Sequence, residues 1–228
     1  ALKMRHLTTM PAAPRSSHAR ANLLALATIA LWASLATLGA SLAHVPPFLL
    51  TGLGLLAGSA IALPLVRFDV RRLAVTPRAL ALGVYGLFGY HFLLFTALQL
   101  APPVEANLVN YLWPLGIVVL APLLLPGVRL APAHLGAALA GLAGAAIAIL
   151  GRGAGAESGG AGHPLAPLGF ACAAGAALIW SSYSVLSKRL ASTRHAFPTA
   201  AIGTFGCVSG LLSLLCHVWL EPAVSLSA

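Results

Sequence analysis

The sequence predicts an all-α, polytopic helical membrane protein, and two observations carry that prediction. Of the 228 residues, 59% are hydrophobic and only 7% are charged, whereas about a quarter of the residues in an ordinary soluble domain are charged. The apolar residues also fall into seven segments, each close to the ~20 residues that a helix needs to cross a bilayer. Because lipid offers the backbone no hydrogen-bond partner, such segments are expected to be helical.

The chain begins with a basic segment, residues 1–20, that contains no Asp or Glu and is predicted to be a cytoplasmic tail. A transit peptide is the alternative. Between the fifth and sixth predicted spans, the glycine-rich residues 152–166 are expected to form an external linker. The seven predicted spans lie at about Leu23–Ala43, Pro46–Val66, Ala79–Leu100, Val104–Leu125, Ala133–Leu150, Pro167–Leu190 and Pro198–Leu220.

The basic residues predict the orientation of these spans. If the tail is cytoplasmic, all of the 13 lysines and arginines except Arg152 fall on the cytoplasmic side. This is the distribution that the positive-inside rule describes. The net charge of +9 could suggest a nucleic-acid partner, but the basic residues sit in alternate loops without interleaved aromatics. We therefore expect a lipid bilayer and no nucleic acid as the partner.

Several function classes are disfavoured by what the spans contain. The last span has no lysine for a retinal Schiff base, and a cytoplasmic N-terminus is opposite to what a seven-helix receptor needs. A Gly-x-Ser-x-Gly turn, expected of a serine hydrolase, does not occur. The three cysteines lack metal-ligand spacing and are predicted to be small buried hydrophobes, at Cys172, Cys207 and Cys216. We therefore expect neither an enzyme nor a metal or other cofactor.

An internal repeat predicts the plan of the fold. Leu31-Trp32-Ala33-Ser34 in the first span is echoed by Ile179-Trp180-Ser181-Ser182 in the sixth, and His44-Val45-Pro46-Pro47-Phe48 by His195-Ala196-Phe197-Pro198. Five spans separate the copies, so the second copy must be inverted, as in many secondary transporters. Residues 21–151 would form a five-helix repeat and residues 167–228 the first two helices of another, about seven of ten in all.

The stretch from Glu105 to Pro114 is the most informative local feature. Pro114 lacks an N–H, so the carbonyl of Asn110 should lose its helical partner. Asn107, Asn110, Tyr111 and Pro114 would share one helix face. A polar stripe beside a broken helix is where transporters bind substrates. The alternative is a simple proline kink whose polar side chains bond to neighbouring helices.

Two further ionisable residues and a pair of glycine motifs have open interpretations. His91 lies in the middle of the third span, where it either contacts substrate or bonds to another helix. Glu105 lies in the first turn of the fourth span, where it either couples protons or complements the helix N-terminus. Gly54-xxx-Gly58 and Gly206-xxx-Gly210 predict close packing within the bundle.

The Val-Asn-Tyr-Leu-Trp-Pro run at residues 109–114 resembles the fourth helix of the bacterial aromatic amino acid exporters, in the EamA branch of the drug/metabolite transporter superfamily. The Trp-Ser pairs at residues 32–34 and 180–181, and Gly89-Tyr90-His91, are similar to less specific features of that superfamily. The resemblance implies two inverted five-helix repeats, of which three helices are missing here, in a bacterial inner membrane. It also implies a cavity lined by Tyr90, His91, Tyr111, Trp113 and Trp180.

The leading functional hypothesis is a secondary transporter that exports aromatic or neutral amino acids by alternating access through a midplane cavity. The same fold could instead export another metabolite or a cationic drug, or the chain could be a truncated, inactive membrane protein. The fifth span is rich in Ala and Gly, which leaves homo-oligomerisation open. The predicted substrate-binding residues are Tyr90, His91, Asn107, Asn110, Tyr111, Trp113, Pro114 and Trp180.

Overall fold

The computed structural model of the protein describes Ala19 and residues 22–31, 45–153 and 164–221. Within these residues every regular element is helical, which confirms the predicted fold class. The first helix, α1, is described over Asn22–Leu31. The predicted tail (residues 1–18), the rest of the first span with Trp32 and Ser34, and most of the predicted linker lie outside the described residues.

The remaining helices follow the predicted spans closely. Among the described residues, five apolar runs are long enough to cross a membrane, at Pro47–Pro64, Pro77–Leu100, Pro103–Leu124, Ala166–Leu190 and Ala201–Leu220. Two of these runs are interrupted, and one further helix of 22 residues precedes residue 154. The helices are α2 (Pro47–Leu65), α3 (Pro77–Val84), α4 (Tyr90–Leu100), α5 (Pro103–Asn110), α6 (Trp113–Leu124), α7 (Pro132–Gly153), α8 (Ala166–Leu190) and α9 (Ala201–Leu220).

Prolines set where many of these helices begin. Helices α2, α3, α5 and α7 each start at a proline, which is favourable because the first helical residue has no use for an N–H. Thr76 also caps α3, since its Oγ1 accepts from the Ala79 N–H at 3.4 Å. Helix α7 runs on through Arg152 and Gly153, so the first two residues of the predicted linker are helical.

Helices α2 and α9 pack together in opposite directions. A Cβ at Gly203 would lie 2.4 Å from the Ala62 side chain, whereas one at Gly210 would lie 2.9 Å from Leu56. Along this contact the residue number decreases on α2 as it increases on α9, so the two helices run antiparallel. Equivalent helices of two inverted repeats must have this antiparallel relation, so the packing agrees with the internal repeat in the sequence.

One of the two glycine motifs makes this contact and the other does not. Gly206 and Gly210 face α2, as predicted. A Cβ at Gly54 or Gly58 would meet nothing within 4 Å, so the prediction that this motif packs within the bundle is wrong for the described residues. The face of α2 that meets α9 is offset around the helix, and it carries Gly52, Leu55, Leu56, Ser59 and Ala62.

Helix α8 packs against α4, α5 and α6. Its buried side is made of small residues, which allow close approach of the neighbouring helices, at Gly169, Ala173, Ala176, Ala177, Ser181 and Val185. Helix α8 therefore contacts both the broken fourth span and the third span. Of the cysteines, Cys172 and Cys216 are half-buried, but Cys207 is exposed, contrary to prediction, because it faces a groove beside α2.

Candidate functional site

The fourth span is broken where the sequence predicted. Helix α5 ends at Asn110 and α6 begins at Trp113. At the break, the Tyr111 N–H donates to the Asn107 carbonyl at 3.0 Å, and the Leu112 N–H to the Val109 carbonyl at 3.1 Å. Because Pro114 has no N–H, the ladder cannot continue through this turn. The polar residues of the stretch therefore lie beside irregular backbone near the middle of an apolar run.

Asn110 connects this break to the third span. Its side chain is 5% exposed, and its Nδ2 donates to the Tyr90 hydroxyl at 3.2 Å. Its Oδ1 is buried and has no hydrogen-bond partner among the described residues. If the amide were rotated by 180°, Oδ1 would bond the Tyr90 hydroxyl and Nδ2 would lose its acceptor. In either orientation, one polar atom of this buried amide has no hydrogen-bond partner among the described residues.

Aromatic rings surround the Tyr90 side of this contact. The Tyr90 ring centroid lies 5.1 Å from that of Trp180 on α8, and Trp180 lies 5.6 Å from Tyr183. His91 packs edge-on against Tyr90, also at 5.1 Å. Tyr90 therefore joins three of the predicted substrate-binding residues, Asn110, Trp180 and His91, in one cluster.

His91 makes a bond that neither of its two interpretations foresaw. Its Nδ1 lies 2.6 Å from the Leu87 carbonyl oxygen on its own helix. Leu87 belongs to a π-helical turn, Tyr85–Gly89, that separates α3 from α4, and such turns occur often at functional sites. This turn was not predicted from the sequence. The feature that marks it there is the pair Gly86 and Gly89, which lie against Tyr183 and Ile179 of α8.

Ser181 binds the other side of the break. Its Oγ is directed at the Trp113 carbonyl at 2.9 Å and at the Ala177 carbonyl of its own helix at 2.5 Å. Gly116 leaves room for this side chain, since a Cβ there would lie 2.3 Å from Ser181 Oγ. The Trp-Ser repeat at residues 180–181 thus places its tryptophan against Tyr90 and its serine against the first turn of α6.

Four predicted site residues are not part of the Tyr90 cluster: Asn107, Tyr111, Trp113 and Pro114. Trp113 is half-buried, and its backbone carbonyl accepts from Ser181. Asn107 is exposed, and Tyr111 is 43% exposed. Pro114 is in the first turn of α6, where it ends the ladder and contributes no polar atom. Their roles in binding stay predictions. Glu105 is half-buried in the first turn of α5, the position at which a carboxylate complements a helix N-terminus.

Residues 19–150 match the EamA-like transporter family. A relative from Ancylobacter novellus, named aromatic amino acid exporter YddG, is 43% identical over 212 residues. The chain belongs to the EamA-like transporter family. The aligned residues are 91% of this chain and 70% of that exporter. A crystal structure of a 43% identical protein matches with a TM-score of 0.77, over 92% of this chain and 70% of that one.

Membership of the EamA-like family identifies this chain as a multi-pass membrane protein of the transporter class. The apolar runs, the broken span and the resemblance noted from the sequence agree with that assignment. Among the described residues, no three or more His, Cys, Asp or Glu side chains lie close enough to hold a metal ion. The polar groups of the Tyr90 cluster are the Asn110 amide, the tyrosine hydroxyls, the Trp180 indole N–H and the His91 imidazole.

Proposed function

We propose that this EamA-like protein is a secondary transporter that exports amino acids, aromatic and neutral ones first, across a bacterial inner membrane by alternating access. The substrate site is a midplane cavity beside the helix break, and the N-terminus is cytoplasmic. The name of the A. novellus relative supports the substrate class. The basic residues in alternate loops support the orientation.

The buried Asn110 amide is the observation that carries the substrate assignment. A buried polar atom without a partner is unfavourable by roughly 1–3 kcal/mol, and it is retained here in the middle of an apolar run. An amino acid supplies both the donors and the acceptors that such an amide can use. Its ammonium can bond Oδ1, and its carboxylate can accept from Nδ2 or from the Tyr90 hydroxyl.

The rings beside Asn110 support a preference for large or aromatic side chains. Tyr90, Trp180 and Tyr183 form a continuous row of tilted rings, and the Tyr90 hydroxyl bonds the amide. A substrate ring that packs offset or edge-on against such a row gains roughly 0.5–1.5 kcal/mol beyond the buried area. Small polar amino acids would gain the contacts to Asn110 but not these.

The third-span tyrosines provide a matched test. Tyr90→Phe removes a hydroxyl that bonds Asn110, whereas Tyr85→Phe removes one that bonds Ser182 of α8 at 2.8 Å. We expect Tyr90→Phe to raise the half-saturating concentration for tryptophan efflux about tenfold, equivalent to one hydrogen bond of ~1.4 kcal/mol, while Tyr85→Phe changes it little. Efflux is measured in vesicles containing the full-length transporter. Equal effects of the two variants would refute the assigned site.

Export of a cationic drug is the second candidate function, because the row of rings formed by Tyr90, Trp180 and Tyr183 also suits a cation. Aromatic faces attract ammonium groups without a carboxylate, and the nearby Tyr90 and Trp180 rings provide two of them. A competition assay separates the candidates. Unlabelled phenylalanine should inhibit tryptophan efflux, whereas a quaternary ammonium ion should not. The reverse order of inhibition would favour drug export.

A further inference from the structure

A groove of about 260 Å³ lies between the start of α3 and the end of α8, and no residue of the Tyr90 cluster lines it. Its floor is formed by leucine side chains, and two arginines from different helices stand at its edge. The residues that line it are Arg78, Leu82, Leu186, Arg189, Leu190 and Thr193. The groove therefore combines an apolar floor with positive charge.

A third arginine is drawn to this edge by His195. The Arg78 Nη1 donates to His195 Nε2 at 3.2 Å, and the Arg194 Nε is directed at the same nitrogen at 3.4 Å. Arginine N–H groups can only donate, so His195 Nε2 is the acceptor in both contacts and Nδ1 is the remaining ring nitrogen. That Nδ1 is buried and has no partner among the described residues.

In the described part of the chain, no ion pair joins Arg78, Arg189 or Arg194 to an Asp or Glu side chain. The His217–Glu221 pair lies at the opposite end of α9, and the whole chain has only four Asp and Glu residues. Two guanidinium groups on one imidazole repel each other, and a third lines the same groove. An anion placed between them would remove this repulsion.

We propose that this groove binds an anionic phospholipid, with the headgroup phosphate between Arg78 and Arg189 and an acyl chain on the leucines. Basic pockets between membrane helices suit phosphate headgroups, and guanidinium forks match phosphate oxygens. A free phosphate would use the arginines but would leave Leu82, Leu186 and Leu190 unused. The apolar floor favours the lipid over the soluble ion.

Nearby basic residues provide the contrast that makes the site testable. Lys188 and Arg129 are exposed and do not line the groove. They therefore carry positive charge but do not converge on the groove as Arg78 and Arg189 do. The double variants Arg78→Gln/Arg189→Gln and Lys188→Gln/Arg129→Gln remove the same charge. A difference between them isolates the groove from the general positive charge of this side.

The experiment measures lipid binding to the purified full-length transporter by native mass spectrometry, with phosphatidylglycerol, phosphatidylcholine and inorganic phosphate as probes. We expect phosphatidylglycerol to bind in preference to phosphatidylcholine. Arg78→Gln/Arg189→Gln should weaken that binding about 30-fold, since each basic side chain near an anionic headgroup contributes roughly a fivefold factor. The Lys188→Gln/Arg129→Gln control should weaken it much less.

Three results would overturn the proposal. Equal weakening by the two double variants would assign the effect to overall charge. Displacement of phosphatidylglycerol by millimolar inorganic phosphate would assign the arginines to a soluble anion. Equal binding of the two lipids by the unmodified protein would exclude headgroup recognition, and this last comparison needs no variant to fold.

Discussion

Helices α8 and α9 follow one another in the chain, yet the interfaces they make differ in kind. Helix α9 meets α2 through glycines that allow the two backbones to approach closely. A Cβ at Gly210, for example, would lie 3.0 Å from the Gly52 carbonyl oxygen. Helix α8 meets the broken fourth span through Ser181 and the aromatic cluster through Trp180. Close packing of glycines makes the first interface, whereas the second brings a buried amide, hydroxyl groups and aromatic rings together beside the helix break.

The α2–α9 interface also has a polar connection at one end. The Glu221 carboxylate accepts from the Phe48 N–H at 2.8 Å and the Leu49 N–H at 3.3 Å, and His217 Nδ1 lies 2.8 Å from it. The N–H groups of a first helical turn lack intrahelical partners. Because residue 47 is proline, Glu221 serves both of the N–H groups that follow it. This carboxylate thus caps the first turn of α2.

The largest effect that would test the comparison is expected from Gly206→Leu. A Cβ there would lie 2.6 Å from Ser59 Oγ and 3.3 Å from the Leu55 carbonyl, so the helices must separate. Overpacking of this kind is unfavourable by about 3 kcal/mol. We expect a large loss of folded protein, measured by thermal unfolding in detergent. Gly58→Leu is the control, since that position is open; similar losses in both would contradict the assigned interface.

A smaller loss of stability is expected from Glu221→Leu. The Glu221 side chain is 2% exposed, and its removal leaves the Phe48 and Leu49 N–H groups without acceptors. Hydrogen bonds to a charged group contribute about 1.5–3 kcal/mol, so we expect the free energy of unfolding to fall by about 2 kcal/mol. Glu105→Leu should change it far less. If both carboxylates prove equally dispensable, the connection between α2 and α9 does not stabilise the fold.

The smallest change in stability is expected on the α8 side, from Asn110→Leu. The variant loses the bond to Tyr90 but also removes a buried atom without a partner. We therefore expect the free energy of unfolding to change by under about 1 kcal/mol. Transport of tryptophan should nevertheless fall about tenfold, as expected for the loss of one substrate hydrogen bond. Marked unfolding with unchanged transport by the folded fraction would mean that the amide is structural.

Local features of the fold could be predicted from the sequence because they follow from local chemistry. Pro114 ended α5 within a few residues of the expected position, since a missing N–H acts on its own helix. The helix bounds likewise followed apolar length and proline positions. The site residues Tyr90, His91, Asn110 and Trp180 came from the sequence too. The family resemblance grouped Tyr90 with His91 and Trp180, but nothing indicated that Tyr90 would bond Asn110.

Contacts between helices were decided by the tertiary structure alone. Gly54 and Gly58 proved open while Gly52 faced α9, and Glu221 capped a helix 173 residues away. The physical reason is that lipid is as apolar as a protein interior, so hydrophobicity does not reveal which side of a membrane helix faces its neighbours. The sequence determined that the chain crosses the membrane and where one span breaks. The rotation of each helix determined which polar groups meet at that break.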